Sequence, residues 1–320
     1  MSHVKNVAIV GAAGTVGKFV AEALVRAGKH NVTAITRANS NATIPDGVKV
    51  ATVDYDEKSS LVEALKGQEV LIITMSASAP QETNFKLIDA AAEAGVAWII
   101  PNNWGTDGTN EQLGKDIFLG PGNTAVRDYI EKVGKSSWVA IASNFWYEYS
   151  LGGSANRYGF DFKNKSVVFF DEGTQPINTT TWPQSGLAVA RLLALPVHPQ
   201  GADDKSLTLS SFKNKFAYIS SFYISQKDMF ESVLRVTGDK AEDWTISYEN
   251  SMERYQNGVK AFQAGDMAGF ARAMYSRMFY LDGSGSYEKT KGLHNELLGL
   301  PREDIDEFTK IGIERQDLVY

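Results

Sequence analysis

Short apolar runs alternate with amphipathic segments along the first half of the chain. The apolar runs predict six β-strands, at residues 7–10, 31–36, 48–53, 70–74, 98–100 and 138–142. The segments between them predict helices at residues 18–27, 59–65, 81–94 and 123–133. Because strand–helix–strand crossovers are right-handed, this order predicts an α/β fold with a doubly wound (Rossmann) parallel sheet.

The strict alternation stops near Ser150, and the second half mixes short β-like runs with helices. The β-like runs lie at residues 167–170, 179–181, 207–209 and 217–219. Helices are predicted at residues 184–195, 226–237, 251–264, 266–281, 290–298 and 302–313. Since no clean linker separates the halves, we expect a doubly wound domain over residues 1–150 and a smaller mixed α/β subdomain over residues 151–320, packed closely on the first.

The first strand runs directly into three glycines, Gly11, Gly14 and Gly17. Gly11 permits a sharp turn, Gly14 lets backbone N–H groups approach a pyrophosphate, and Gly17 lets the next helix pack tightly on the sheet. The N-terminus of that helix then adds partial positive charge. The strand before and the helix after the motif favour a dinucleotide site. The alternative is a tight turn without a ligand.

The residue that ends the second strand indicates which dinucleotide is bound. Arg37 stands where an acidic residue would hydrogen-bond the ribose 2′-OH of NAD. A guanidinium can instead hold a 2′-phosphate through two hydrogen bonds and stack on adenine. We therefore expect NADP(H), while the alternative is a solvated surface arginine.

The cofactor of a doubly wound sheet lies across the carboxyl ends of its strands, where the strand order reverses. Residues at this edge are the predicted cofactor contacts: Gly11, Ala13, Gly14, Thr15, Val16, Gly17, Arg37, Asp54, Met75, Ser76, Asn102, Asn144 and Phe145. Aromatic residues are dense from 145 onward and predict an apolar pocket over the nicotinamide end. The predicted substrate contacts are Trp104, Trp146, Tyr149 and Tyr158, each of which could instead be a core residue.

Composition excludes several other classes of site and partner. The 320 residues carry a net charge of -6 and include no cysteine, which excludes disulfides, thiolate metal sites and a cysteine nucleophile. The four histidines lack ligand spacing, so no metal site is expected. The acidic balance disfavours nucleic acid as a partner. No long apolar run precedes the first strand or would span a membrane, so we expect a cytoplasmic protein, monomeric or homodimeric.

Several of these segments resemble the NmrA-like and isoflavone-reductase-like proteins, a branch of atypical short-chain dehydrogenases. The resemblance rests on residues 11–17 with Arg37, on 54–55, 67–70, 101–105 and 126–131, and on 143–149, which look like a fungal subgroup attached to secondary metabolism. It implies NADPH binding and, in reductase members, hydride delivery to an unsaturated or benzylic carbon of a phenolic substrate. The expected substrate is a small aromatic or polyketide-like molecule.

The chain departs from the family at the position of the catalytic proton donor. Reductase members resembling this chain carry a lysine where Asn123 stands. Asparagine can hydrogen-bond a carbonyl oxygen but cannot release a proton at neutral pH. Candidates for the catalytic role are Asn123, Lys115 and Tyr147, although Lys115 could be a solvated loop lysine and Tyr147 a packing residue.

Three functions follow from these observations. The first is an NADPH-dependent reductase; the second is an NADP(H) sensor that binds a regulatory partner without catalysis. The third is a non-redox isomerase or cyclase that retains the cofactor as structure. A Tyr287-x-x-x-Lys291 pair near the C-terminus mimics the dyad of ordinary short-chain dehydrogenases, but its position indicates chance. The small residues from 284 to 292 predict a flexible lid.

Overall fold

The computed structural model of the chain describes residues 2–76 and 79–316. Its strands are β1 (Asn6–Val10), β2 (Asn31–Arg37), β3 (Lys49–Val53), β4 (Val70–Ile73), β5 (Trp98–Ile100), β6 (Ser137–Ala142), β7 (Phe145–Trp146), β8 (Phe160–Asp161), β9 (Ser166–Phe170), β10 (Ile177–Thr180), β11 (Lys215–Tyr218), β12 (Phe222–Ile224) and β13 (Thr245–Glu249). Its helices are α1 (Thr15–Ala27), α2 (Lys58–Leu65), α3 (Gln81–Ala94), α4 (Glu111–Asp116), α5 (Gly120–Val133), α6 (Tyr147–Leu151), α7 (Trp182–Leu193), α8 (Gln226–Thr237), α9 (Ser251–Gln263), α10 (Met267–Met278), α11 (Glu288–Lys291) and α12 (Ile305–Glu314).

The central sheet has seven parallel strands in the order β11-β6-β5-β4-β1-β2-β3. The order reverses between β1 and β4, so a crevice opens beyond the carboxyl ends of these two strands. All six strands predicted for the first half are present. The prediction of a doubly wound α/β fold is therefore confirmed.

Helices cover both faces of this sheet. On one face α1 and α7 bury Val20, Leu24 and Val189 against β1 and β4. On the other face α2, α3 and α5 bury Leu61, Leu87 and other apolar side chains. Strands covered on both sides explain the nearly continuous apolar runs of the first half.

The second half builds two small three-stranded sheets, β12-β10-β7 and β13-β9-β8. A third core of aromatic side chains joins them to α8, α10 and α12. The second half also contributes β11 to the central sheet and α7 to its cover. The division at residue 150 stays a prediction, and these two elements show how closely the halves are interleaved.

Two local expectations were wrong. Residues 207–209 do not form a strand, because Thr208 caps a 3-10 turn over Leu209–Phe212. The helix expected over 290–298 is only α11, which Gly292 ends at a φ of 73°. The sequence pattern also does not predict helices α4 and α6 or strands β7, β8, β12 and β13. Within residues 2–76 and 79–316, no helix is both long enough and apolar enough to cross a membrane.

Candidate active site

The turn from β1 into α1 leaves no room for a side chain at Gly11 or Gly17. Gly11 has a φ of 82°, and a Cβ there would lie 2.3 Å from the carbonyl oxygen of Thr74. A Cβ on Gly17 would lie 2.0 Å from the carbonyl oxygen of Gly11 and 2.5 Å from Oγ1 of Thr74. Thr74 clamps the turn from β4, because its hydroxyl donates to the carbonyl of Val10 at 2.8 Å. The backbone can approach a ligand closely only because these positions are glycine.

The N-terminus of α1 is prepared for an anionic group. Gly14 is its N-cap, no side chain caps it, and its first turn holds no acidic residue. Gly14, Thr15 and Val16 line a cavity. The first-turn N–H groups and the helix dipole can therefore bind a phosphate there. Gly11, Ala13 and Gly17 shape the turn without lining the cavity.

Arg37 lies at the end of β2, beside the glycine turn. Register places Ile35 opposite Val10, so Arg37 is two residues beyond the last residue of β1. Its side chain is exposed, and in the described part of the chain no acidic group forms an ion pair with it. The guanidinium is thus available for a phosphate at the adenosine end. Asp54 follows β3, where Oδ1 accepts from the N–H of Asp56 at 2.9 Å.

A cavity of about 1060 Å³ opens at the carboxyl edge of β1, β4 and β5. Its other walls come from α4, the start of α5, α10 and the segment around β7. The predicted contacts that line it are Gly14, Thr15, Val16, Met75, Ser76, Asn102, Trp104, Lys115, Asn123, Asn144, Phe145, Trp146 and Tyr149. The structure therefore brings predictions from both halves of the chain to one place.

Hydrogen bonds to the backbone fix the floor of the cavity. Asn102 donates to the carbonyl of Met75 at 3.0 Å, and Trp104 Nε1 donates to the carbonyl of Ile73 at 2.9 Å. Asn144 has a φ of 54°, and its Nδ2 donates to Asn178 and Gly285 carbonyls, both at 2.8 Å. The 284–292 segment predicted as a lid is thus tied to the floor through Gly285.

Aromatic rings form the wall opposite the glycine turn. Phe145 stacks on Tyr275 with ring centroids 3.9 Å apart. Tyr149 lies under the Arg157 guanidinium at 3.7 Å, and Trp146 lines the cavity beside it. Tyr158 is fully buried behind this wall, where its hydroxyl pairs with Thr179 at 3.0 Å. The predicted substrate contact Tyr158 therefore cannot touch a ligand in the cavity, because the rings of Phe145 and Tyr275 pack against it.

The three catalytic candidates occupy different environments. Asn123 lines the cavity from the first turn of α5. Lys115 lines it from α4, but its side chain is 62% exposed and its Nζ lies 3.8 Å from the carboxylate of Glu111. Tyr147 is completely buried outside the cavity, and its hydroxyl bonds to Thr309 at 2.7 Å. Burial raises the pKa of Tyr147, which makes it a poor proton donor.

Sequence reasoning missed two polar residues at this site, Asn103 and Arg127. Both line the cavity, and their side chains are buried and hydrogen-bonded to each other. The sequence signal that could have identified Arg127 was its four-residue spacing from Asn123, which places both residues on one face of α5. Tyr287 and Lys291 do not form a catalytic dyad at this site, because the Tyr287 hydroxyl donates to the carbonyls of Ala142 and Ile219.

The sequence of this chain is similar to those of known proteins. Residues 3–153 match the model of the NmrA-like family. Oxidoreductase aprR of Aspergillus flavus is 27% identical over 306 residues, which cover 94% of this chain and 96% of aprR. The matched region includes the glycine turn and the polar floor of the cavity.

Solved structures share the fold over nearly the whole chain. A crystal structure of isoflavone reductase superposes with a TM-score of 0.75 at 18% identity, covering 96% of this chain and 98% of the other. The structure of AtPrR2 with NADP+ and (+)pinoresinol gives a TM-score of 0.73 at 15% identity, covering 98% and 100%. The likeness in fold therefore extends over both halves of the chain.

Proposed function

We propose that this chain, an NmrA-like protein as its motifs indicated, is an NADPH-dependent reductase of a small aromatic or polyketide-like substrate. One observation carries the proposal: the uncapped N-terminus of α1 and the aromatic wall open into the same cavity. A dinucleotide and an aromatic ring could therefore meet there. AtPrR2, which shares the fold, holds NADP+ and (+)pinoresinol.

The residues at the sheet edge fit a dinucleotide phosphate. Gly14, Thr15 and Val16 would hold the pyrophosphate through the first turn of α1, and Arg37 would hold the 2′-phosphate. Met75, Ser76 and Asn102 would line the path toward the floor. When bound, NADPH would supply a hydride from its nicotinamide ring.

The aromatic wall supports an aromatic or polyketide-like substrate. Phe145, Trp146, Tyr149 and Tyr275 offer flat apolar faces, and offset stacking on such faces favours planar rings. A cavity of about 1060 Å³ accommodates both a nicotinamide and a ring system of drug-like size. The substrate would lie between this wall and the floor at Asn102 and Asn144.

The chain's own residues would stabilise charge rather than deliver a proton. When a hydride adds to an enone or quinone carbon, the π-electron pair moves to oxygen and leaves an enolate. Asn123 can donate a hydrogen bond to that oxygen, and solvent can supply the proton that neutralises it. Solvent can reach the site past the exposed side chain of Lys115.

A second candidate function is NADP(H) sensing without catalysis. It is favoured by the loss of the family lysine at Asn123 together with the burial of Tyr147 away from the cavity. The same facts allow a non-redox isomerase or cyclase. All three functions require the cofactor contacts. They differ in whether a substrate is converted and whether NADPH is oxidised in the process.

Single-turnover oxidation of bound NADPH, followed by absorbance, tests the proposal. The protein is mixed with enones, quinones and phenylpropanoids, with NADPH and NADH affinities measured in parallel. We expect oxidation with at least one compound and tighter binding of NADPH than of NADH. Tight binding without oxidation across the panel would favour the sensor or the non-redox enzyme.

Two variants then assign the catalytic role. Asn123→Ala should slow oxidation by about 2- to 10-fold, the usual value of one neutral hydrogen bond. Lys115→Ala should change it less, because Lys115 is exposed. A greater loss in Lys115→Ala than in Asn123→Ala would make the lysine the proton donor.

A further inference from the structure

We infer that the side-chain amide of Asn103 is an oxyanion donor, held by Arg127 so that its NH2 group faces the substrate oxygen. This inference deepens the proposed reductase and rests on it. It assigns a role to a residue that lies within the motif at residues 101–105 but is not among the predicted site residues. It also supplies part of what the missing lysine would have provided.

The orientation of the Asn103 amide follows from its partner. Asn103 is only 4% exposed and lines the cavity. Its Oδ1 accepts a hydrogen bond from the guanidinium of Arg127. Because arginine has donors and no acceptor, the oxygen must face Arg127 and Nδ2 must point away from it. No described residue accepts a hydrogen bond from Nδ2, so the cavity is where its acceptor would be.

Arg127 is itself held rigidly. It is 7% exposed, and its Nη2 donates to Oγ1 of Thr124 at 3.0 Å and to the carbonyl of Gly108 at 3.4 Å. Its guanidinium lies 5.5 Å from the ring centre of Trp138 and 5.0 Å from that of Phe216. A buried cation held by three hydrogen bonds fixes the amide in advance, which is the condition for effective electrostatic stabilisation.

The charge of Arg127 strengthens the donor. The cation polarises the Asn103 amide, so that its N–H groups donate more strongly than those of a solvated amide. Asn123 lies one turn before Arg127 on the same face of α5 and also lines the cavity. The site then meets a developing enolate with neutral amide donors, while the proton comes from solvent.

The rival explanation is that Asn103 only anchors Arg127. Three variants separate the two roles. Asn103→Asp keeps an oxygen toward Arg127 but replaces the donor with a charged carboxylate, whereas Asn103→Ala removes both the oxygen and the donor without adding charge. Thr124→Val loosens Arg127 and leaves the Asn103 donor in place. An anchoring role predicts that Asn103→Asp is tolerated and that Thr124→Val resembles Asn103→Ala.

The first readout needs no turnover. We would titrate 4-nitrophenol with pH in the presence of the protein and NADP+, following the ionised form by absorbance. A donor role predicts that the pKa of bound nitrophenol is about one pH unit lower in wild type than in Asn103→Ala and Asn103→Asp. Thr124→Val should lie between them, because its Asn103 amide is present but less firmly held by Arg127. If the pKa of bound nitrophenol is no lower in wild type than in Asn103→Ala, the inference is overturned.

The second readout is turnover with a substrate from the panel. Asn103→Ala and Asn103→Asp should lower kcat by about 10²- to 10³-fold, as for loss of one oxyanion donor, while NADPH affinity changes less than about threefold. Full activity of Asn103→Asp would also overturn the inference. If wild type never oxidises NADPH, the reductase proposal fails on its own, and the nitrophenol titration still decides the role of Asn103.

Discussion

The two walls of the cavity are built in different ways. The glycine wall is the turn at residues 11–17, which lines the cavity through Gly14, Thr15 and Val16 and is held by a clamp at Thr74. The aromatic wall gathers Phe145, Trp146 and Tyr149 from one segment and Phe270 and Tyr275 from another more than a hundred residues later. The first depends on backbone geometry and the second on side-chain packing between distant elements.

This difference also separates the chemistry of the two walls. The glycine wall offers N–H groups and a helix dipole, which suit phosphate in any member of the fold. The aromatic wall offers ring faces whose outline depends on each side chain, which suits discrimination among substrates. Changes to the first wall should therefore abolish folding or cofactor binding, and changes to the second should alter specificity or stability.

The largest effect is expected from filling the glycine wall. Gly17→Ala places a methyl group 2.0 Å from the Gly11 carbonyl oxygen, so β1 and α1 must separate. We expect a loss of about 3 kcal/mol or more in the free energy of unfolding, at the upper end for overpacking, together with loss of NADPH binding. Denaturant unfolding and an NADPH titration measure both.

Gly201→Ala is the matched control for this variant. No heavy atom lies within 4 Å of a Cβ at Gly201, so its stability should change by less than about 0.5 kcal/mol. Normal stability and NADPH affinity in Gly17→Ala would mean that the turn is not closely packed.

The next effect concerns a carboxyl group behind the aromatic wall. Glu148 on α6 is 1% exposed; its Oε1 accepts from the N–H of Trp182 at 2.9 Å, and within the described residues its Oε2 has no partner. Burial raises the pKa of Glu148 to about 7. The folded state thus keeps a proton that the unfolded chain releases near the ordinary value.

The free energy of unfolding should therefore fall as pH rises from about 4.5 to about 7, by up to about 3 kcal/mol. Glu148→Gln cannot ionise and should lose this part of the pH dependence. Urea unfolding at pH 5 and pH 8 measures it. Glu242→Gln, whose parent carboxylate is 76% exposed, should keep the wild-type slope. An unchanged slope in Glu148→Gln would show that the buried carboxyl group does not titrate in this range.

How much of each wall could be predicted from the sequence depends on how far apart its residues lie in the chain. The turn at Gly11–Gly17, the strand β2 and Arg37 are adjacent in the chain, so local pattern predicts their arrangement. Tyr158 looked equivalent to Tyr149, yet only packing against Phe145 and Tyr275 decides that it lies behind the wall. No local signal carries that information.

Polar positions at the site show the same limit. Asn103 lies in the motif at residues 101–105, but its partner Arg127 is 24 residues away, and the hydrogen bond between them defines the orientation of the Asn103 amide. Small residues alone predict the lid over 284–292. The sequence does not show that this segment is anchored to the cavity floor, where the Asn144 amide donates to the carbonyl of Gly285.

A smaller effect is expected at Arg37, at the outer end of the glycine wall. Arg37→Ala should weaken NADPH binding by about 10- to 100-fold, because hydrogen bonds to charged groups are worth about 1.5–3 kcal/mol, and should leave NADH affinity within about threefold. Arg26→Ala, an exposed arginine in the last turn of α1, is the control and should change neither. Equal losses for NADPH and NADH in Arg37→Ala would contradict the 2′-phosphate contact.

The smallest effect is expected at Tyr147. Tyr147→Phe removes the hydrogen bond to Thr309, which is worth about 1 kcal/mol, and should leave the rate of NADPH oxidation unchanged. Phe222→Leu, which alters the same core without touching a hydroxyl, serves as the comparison. A tenfold slower oxidation in Tyr147→Phe alone, at normal stability, would restore Tyr147 as a proton donor.

The position of β11 has a consequence for biosynthesis. The sheet-edge partner of β6 is β11, residues 215–218, so β6 stays unpaired along one side until two thirds of the chain has left the ribosome. An apolar strand with a free edge is a template for pairing with other chains. A fragment ending at residue 153, the limit of the family match, would expose that edge permanently and should aggregate, whereas one that extends through α8 can close it.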